Sequence, residues 1–159
     1  MKNNHLKLLT LALVAAGAVA AHADQDIITK SFLVKAGGKL LLKVDRGSVH
    51  ITTTDSDKVD VKITRELKNA SSAEAKKVFE QHKIELSSTD NEVKIEAANP
   101  GKHLGFNKLL NRLQVDYTVA IPARFDIDVN TAGGNIEVGD LEGKAVAHTS
   151  GGNVNIRSK

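Results

Sequence analysis

The stretch that decides the fold is a corner followed by a strand, Thr131-Ala132-Gly133-Gly134-Asn135-Ile136-Glu137-Val138. Eighteen residues later it returns as Thr149-Ser150-Gly151-Gly152-Asn153-Val154-Asn155-Ile156, and six of the eight positions agree in kind. A short fixed period, with glycines at each corner and alternating apolar residues after them, is typical of a solenoid coil. The sequence therefore predicts a short β-solenoid with an 18-residue repeat over about residues 125–159.

A fainter copy of the same corner lies much earlier, at Gly47-Ser48-Val49-His50-Ile51, without the second glycine or the asparagine. Glycine suits such a corner because it tolerates positive φ. The apolar residues after each corner are expected to point into the stack. Asn135 and Asn153 should then lie one above the other.

The chain before the repeat is dominated by strand patterns, because apolar residues recur with period two rather than 3.6. The alternating segments lie near residues 32–34, 40–44, 49–51, 59–63, 84–86, 93–95 and 113–121. A hairpin is expected around Thr89-Asp90-Asn91, and Pro122 should end the clearest strand. The predicted fold is all-β, with antiparallel strands and one short helix leading into the solenoid.

The short helix is predicted between residues 71 and 82. Ser71 and Glu74 have the spacing of a capping box, and Ala75, Val78 and His82 fall on one helical stripe. His82 is interpreted as a packed or half-exposed histidine rather than as a ligand.

A basic segment from Lys102 to Arg112 interrupts the strand pattern after Asn99-Pro100-Gly101. One interpretation is an amphipathic element that touches an anionic surface or partner. The other, which we favour, is a loop or helical turn that caps an open end of the core. Only Lys102, Lys108 and Arg112 are charged, and about 1 kcal/mol for each gives weak attachment.

The first 23 residues have the order of a secretory signal. Lys2 and Lys7 precede an uncharged apolar segment from Leu8 to Ala20, and Ala21-His22-Ala23 fits the A-x-A cleavage pattern. We predict that residues 1–23 are a signal peptide and that the mature chain begins at Asp24. Residues 24–159 should form a single domain, exported to the periplasm or the cell surface.

Charge and cysteine content exclude some classes of partner and attachment. Removing Lys2 and Lys7 leaves 20 basic residues against 19 acidic ones, so the sequence pI of 9.1 does not indicate nucleic-acid binding. There is no cysteine, which excludes a lipid-modified cysteine and a disulfide framework. We expect no stable membrane insertion after cleavage.

Several of these motifs together resemble a family of exported bacterial proteins called the putative-adhesin family. The resemblance rests on Gly37-Gly38-Lys39-Leu40, on Gly47 to Ile51, on Val119-Ala120-Ile121-Pro122, and on the paired Thr-x-Gly-Gly-Asn corners around Gly139 to Gly143. It covers most of the mature chain and implies a β-solenoid body with an adhesin-like role. It transfers no binding residue, because these motifs encode the geometry of coils. Members of the family usually continue through several more coils than this chain has.

Candidate metal sites are weak. Gly133 to Asp140 departs from the calcium-binding G-G-x-G-x-D frame, since Ile136 stands where that frame has its third glycine. Asp126 and Asp128, with Asp116 as a possible neighbour, form the best acidic group, but alternating outward carboxylates on a strand are usually solvated. We therefore assign no metal site and no cofactor.

Catalytic motifs are missing as well. The sequence has no cysteine nucleophile, no G-x-S-x-G elbow and no H-E-x-x-H pair, and the mature histidines His50, His82, His103 and His148 are scattered. We assign no catalytic residue and predict a non-catalytic binding or structural module of the cell envelope, with a protein or a glycan as its ligand. The alternative is a lyase or hydrolase acting on envelope polysaccharide, which would need a concave groove with clustered carboxylates.

The C-terminal strand, Asn153 to Arg157, has no coil above it in the sequence given. Repeat proteins normally cover such an end with a capping unit. Two expectations follow: the 159-residue chain is a fragment of a longer solenoid, or it self-associates edge to edge through residues 153–157.

Overall fold

The computed structural model describes residues 25–98 and 107–159. The predicted signal peptide, its cleavage site and residues 102–106 of the basic segment that ends at Arg112 lie outside these residues. Within the described ranges, no helix is long and apolar enough to cross a membrane.

Eleven strands in the described residues form two mixed sheets. The six-stranded sheet has the order β1 (Gln25–Leu33), β4 (Lys58–Leu67), β7 (Leu113–Pro122), β3 (Ser48–Thr54), β9 (Ile136–Leu141) and β11 (Val154–Ser158). The five-stranded sheet has the order β10 (Ala145–Thr149), β8 (Asp126–Thr131), β2 (Lys39–Val44), β6 (Glu92–Ala97) and β5 (Ile84–Thr89). The prediction of a mostly β fold is confirmed.

The expected antiparallel pairing is correct for only some of the early strands. β1, β4 and β7 pair antiparallel, as do β5 and β6. In contrast, β2 pairs in parallel with β6 and β8, and β3 pairs in parallel with β7 and β9. The prediction was wrong here because period-two alternation places a side chain on a face of the sheet and carries no information about strand direction.

The core lies between the two sheets and is built from the inward positions of the alternating strands. β7 is the clearest example, with Leu113, Val115, Tyr117, Val119 and Ile121 all buried. The hairpin between β5 and β6 turns through Asp90 and Asn91, whose φ angles of 50° and 65° fit a two-residue type I′ turn. The strand positions and the hairpin therefore match the sequence pattern.

Two helices accompany the sheets in the described residues, where one was expected. α1 (Ser72–Gln81) begins with the predicted capping box: the Ser71 hydroxyl accepts from the Glu74 backbone N–H at 3.3 Å, and Glu74 Oε2 accepts from the Ser71 N–H at 2.8 Å. α2 (Asn107–Leu110) is a single turn with Leu110 buried. It corresponds to the helical-turn interpretation of the segment that ends at Arg112.

Candidate functional site

The glycine corners of the repeat are stacked on one another, together with the earlier corner at Gly47. Gly47, Gly134 and Gly152 have φ angles of 112°, 123° and 141°. A Cβ atom on Gly134 would overlap the carbonyl oxygen of Gly47, and one on Gly152 would overlap that of Gly134. Only glycine therefore fits at these two positions, for reasons both of backbone conformation and of space.

Side chains join one corner to the next. Thr131 Oγ1 donates to the Gly47 carbonyl oxygen at 3.0 Å, and Thr149 Oγ1 donates to that of Gly134 at 2.9 Å. The strands that follow are in register, since Val49 pairs with Ile136, and Ile136 pairs with Val154. The faint sequence match at Gly47 is thus another layer of the same stack, 87 residues before the corner at Gly134.

The stack ends at two edge strands, β10 in one sheet and β11 in the other, which we call the open end. Val146, Val154 and Ile156 on these strands are among the exposed large hydrophobic residues. Val154 and Ile156 continue the inward positions of β9, but β11 is the last strand of its sheet. Apolar side chains at inward positions are therefore accessible at this end.

A second feature is a cleft of about 930 Å³ where the carboxyl ends of β2, β6 and β8 meet the end of α1. Its polar lining includes Lys43, Asp45, Lys83, Glu85, Glu96 and Asn130. Four of these residues form one row across the outer face of the five-stranded sheet, because Asn130, Lys43, Glu96 and Glu85 are register neighbours. This row thus carries one lysine beside two adjacent carboxylates.

Asp45 connects the cleft to a buried polar network. Its Oδ1 lies 2.9 Å from His82 Nε2 and its Oδ2 lies 3.1 Å from Arg46 Nε. Burial by itself raises the pKa of Asp45, but the hydrogen bond from His82 and the charges of His82 and Arg46 outweigh it, so the net pKa lies below the usual value. The Asp45 side chain is 16% exposed whereas that of His82 is fully buried.

Arg65 extends this network to the N-terminal strand. Its guanidinium donates to the carbonyl oxygens of Phe79 at 2.9 Å and His82 at 2.7 Å, and its Nε donates to Asp26 Oδ2 at 2.9 Å. The end of α1 is therefore capped by a buried arginine, which satisfies carbonyl groups that a helix end leaves unpaired. No sequence period links these residues, so the network was not predicted.

Two polar atoms beside this network have no hydrogen-bond partner within the described chain, His82 Nδ1 and Tyr117 Oη. Burial raises the pKa of Tyr117 far above its usual value, and the nearby charge of Asp45 adds to the effect. The phenol is therefore neutral at any physiological pH. As neither residue has an accessible side chain, neither can touch a substrate in the cleft.

The structure separates the acidic residues that the sequence grouped. Asp126 and Asp128 lie on β8 in the five-stranded sheet, whereas Asp116 lies on β7 in the other sheet. Asp126 Oδ1 accepts from the Lys144 N–H at 2.8 Å, and Asp128 lies 3.8 Å from Lys39 Nζ. The expected neighbourhood of Asp116 is thus wrong, because residues 116 and 126 belong to strands of different sheets.

The other candidates also lie apart. Asp140 is 3.9 Å from Arg157 Nε, and His50 Nδ1 is 3.1 Å from Glu137 Oε2 on the outer face of the six-stranded sheet. His148 lies on β10 of the five-stranded sheet, and His103 is outside the described residues. Among the residues that the structure describes, no group of three or more histidine, aspartate and glutamate side chains could hold a metal ion.

A scan against protein-family models finds no match, and a search of the curated proteins finds none either. Among solved structures, a putative adhesin from Bacteroides fragilis is similar at 17% identity and a TM-score of 0.37, over 82% of this chain and 52% of that one. A putative cell adhesion protein from Clostridium sporogenes is similar at 14% identity and a TM-score of 0.39, over 83% and 57%. A putative lipid binding protein from Parabacteroides distasonis is similar at 13% identity and a TM-score of 0.37, over 84% and 60%.

This chain thus spans little more than half the length of the solved structures it matches. The adhesin names of the first two agree with the resemblance found in the sequence motifs.

Proposed function

We propose that this protein is a non-catalytic binding module of the cell envelope, and that the cleft beside Asp45 is its ligand site. The observation that carries the proposal is a cleft of about 930 Å³ lined by converging polar groups of both charges, in which the Glu96 carboxylate is already paired with Lys94. A large concave site with a few convergent polar groups is the usual place for a ligand. The His82 side chain is fully buried, and its imidazole is hydrogen-bonded to Asp45, so it is not available to a bound substrate.

The lining of the cleft favours a polar ligand that both donates and accepts hydrogen bonds. Lys43 and Lys83 offer donors, whereas Glu85 and Glu96 offer acceptors. Lys94 holds one of these carboxylates, since its Nζ lies 2.8 Å from Glu96 Oε2. A protein segment or a glycan of the envelope has suitable groups.

Nucleic acid fits the site poorly. Binding of single strands combines a positively charged groove with aromatic rings on which bases stack. The cleft mixes both signs of charge, and each aromatic ring in the described residues is buried or packed against the core: Phe32, Phe79, Tyr117 and Phe125. These features support a partner other than nucleic acid.

We propose further that the body is a β-solenoid and that the protein is exported. In support of the first point, Ala145 pairs with Ile127 in one sheet and Val154 with Ile136 in the other, the 18-residue spacing of the repeat. In support of the second, residues 1–23 carry the pattern of a cleaved signal. Intact-mass analysis of protein recovered from the envelope should find Asp24 first, and a product retaining Leu8 to Ala20 would contradict export by cleavage.

The binding proposal is tested by retention of envelope extract on the immobilised protein. Lys43→Glu reverses a charge inside the cleft and should abolish retention of the bound component. Lys62→Glu, an exposed change on β4 in the other sheet, should leave retention unchanged. Equal retention by both variants would overturn the site, and release of shortened glycan chains by the wild-type protein would favour the enzyme alternative.

A further inference from the structure

The cleft beside Asp45 contains charged side chains that the protein itself does not pair. Lys43, Lys83 and Glu85 line it, and all three are exposed. None of them forms an ion pair with another described residue. In contrast, the two other carboxylates of the lining, those of Asp45 and Glu96, are held in ion pairs. The cleft therefore offers a ligand unpaired charges of both signs.

These charges lie on opposite sides of β6. Lys43 is on β2 and Glu85 is on β5, and Glu96 of β6 is the register neighbour of both. Since neighbouring strands are about 4.8 Å apart, the backbones of Lys43 and Glu85 are about 10 Å apart. Lys83 precedes β5, two positions before Glu85. A ligand that spans the cleft thus meets Lys43 at one side and Glu85, with Lys83 beside it, at the other.

The apolar part of the lining consists of small side chains. It is formed by Val44, Ala97 and Ala98, at the carboxyl ends of β2 and β6. Alanine side chains leave room above the sheet. The body of a ligand can therefore lie against these residues while its charged groups reach Lys43 and Glu85.

Desolvation restricts the class of ligand. A ligand in the cleft removes water from Lys43 and Glu85, and a charge that loses water without gaining a partner weakens a complex. A neutral glycan would leave both charges unpaired. A polyanion would bring like charges against Glu85 and Glu96. A ligand with one group of each sign pairs both Lys43 and Glu85.

A short peptide has this pattern of charges. Its amino and carboxyl ends carry opposite charges at neutral pH, and three extended residues span about 10 Å. On the basis of the function proposed for the cleft, we propose that its ligand is a zwitterionic peptide of about three residues, whose carboxylate faces Lys43 and whose ammonium group faces Glu85. Lys83 then donates to a carbonyl oxygen of the peptide.

Titration of the purified protein with trialanine, followed by NMR of the backbone amides, tests the proposal. The amide signals of Lys43, Glu85 and Ala98 should shift and give the Kd. N-acetylated trialanine lacks the positive charge and trialanine amide lacks the negative one. Each should bind at least about tenfold more weakly, because a hydrogen bond to a charged group is lost. A neutral trisaccharide of N-acetylglucosamine should leave these signals in place.

Two variants assign the two ends of the peptide. In Glu85→Gln, acetylation of the peptide should no longer weaken binding, whereas amidation still should. Lys43→Gln should show the reverse. Lys62→Gln, an exposed change on β4 in the other sheet, should distinguish the three peptides as the wild type does.

The outcomes separate this inference from the function proposed for the cleft. Trialanine that shifts no cleft signal, equal affinities for free and blocked peptides, or tighter binding of the trisaccharide would each overturn the peptide ligand. The cleft would remain a binding site in these cases if Lys43→Glu still abolished retention of the envelope component. Full retention by Lys43→Glu would overturn the site as well.

Discussion

The side-chain oxygen of Asn135 accepts a hydrogen bond from the backbone N–H of Asn153 at 3.0 Å, which joins one layer of the stack to the next. Asn153 occupies the same corner position one layer further on, next to the edge strand β11. We expect Asn135→Ala to lower the free energy of unfolding by about 1 kcal/mol, the net worth of one hydrogen bond. Urea unfolding measures it, and Asn153→Ala is the matched control, with an expected change of less than about 0.5 kcal/mol.

Two adjacent corner glycines, Gly133 and Gly134, test whether the corners are stacked. Gly134→Ala should lower the free energy of unfolding by about 1–3 kcal/mol, because the residue has positive φ and its Cβ would overlap the carbonyl oxygen of Gly47. Gly133→Ala, one residue earlier, meets no atom within 4 Å and should change little. Equal melting temperatures for the two variants would argue against the stacked corner.

The Asp45–His82 pair predicts a dependence of stability on pH. The pKa of Asp45 is lowered in the folded protein. The contribution of Asp45 to the free energy of unfolding is therefore fully present above its unfolded-state pKa of about 4, and it is lost as the pH falls through its folded-state pKa. Asp45→Asn should remove this part of the acid sensitivity. The measurement is the urea midpoint between neutral pH and about pH 3.

Asp128→Asn is the control for that series, because Asp128 forms an exposed ion pair with Lys39. Such surface pairs contribute about 0–1 kcal/mol. If the two variants followed the same pH profile, the buried network would have no special role in acid stability.

Arg65 is expected to be the most sensitive charged position. Arg65→Met leaves Asp26 and the carbonyl groups of Phe79 and His82 without their shared donor in a mostly buried site. The cost should be about 3 kcal/mol, as for other broken buried pairs. Thermal unfolding of both variants measures the difference: Arg112→Met, which loses one bond to the Lys68 carbonyl oxygen at an exposed site, should cost less than about 1 kcal/mol.

Much of the local structure could be predicted from the sequence, since alternation marks the strands and Ser71 with Glu74 marks the start of α1. The partners of the strands could not. Val49 and Ile136 pair directly although 87 residues separate them, and a five-residue fragment around Gly47 is too short to specify that contact. Strand partners can be predicted from the sequence only where the repeated motif is complete, as it is around Asn135 and Asn153.

The candidate site was less predictable than the fold. His82 was correctly placed on the helical stripe that faces the core, but nothing in the pattern connects it with Asp45. Asp45 follows β2 and His82 follows α1, and the two meet only because both elements end at the same edge of the core. Contacts of this kind depend on tertiary packing and have no periodic signature.

The pairing of β3 with β9 also governs how fast the chain can fold. β3 can pair with β9 only after much of the chain has been synthesised, since His50 and Glu137 are 87 positions apart in the sequence. Topologies dominated by such distant contacts fold in milliseconds to seconds rather than microseconds, because a long loop must close before any contact is gained. A newly made chain therefore stays unfolded for longer than a helical protein of the same size.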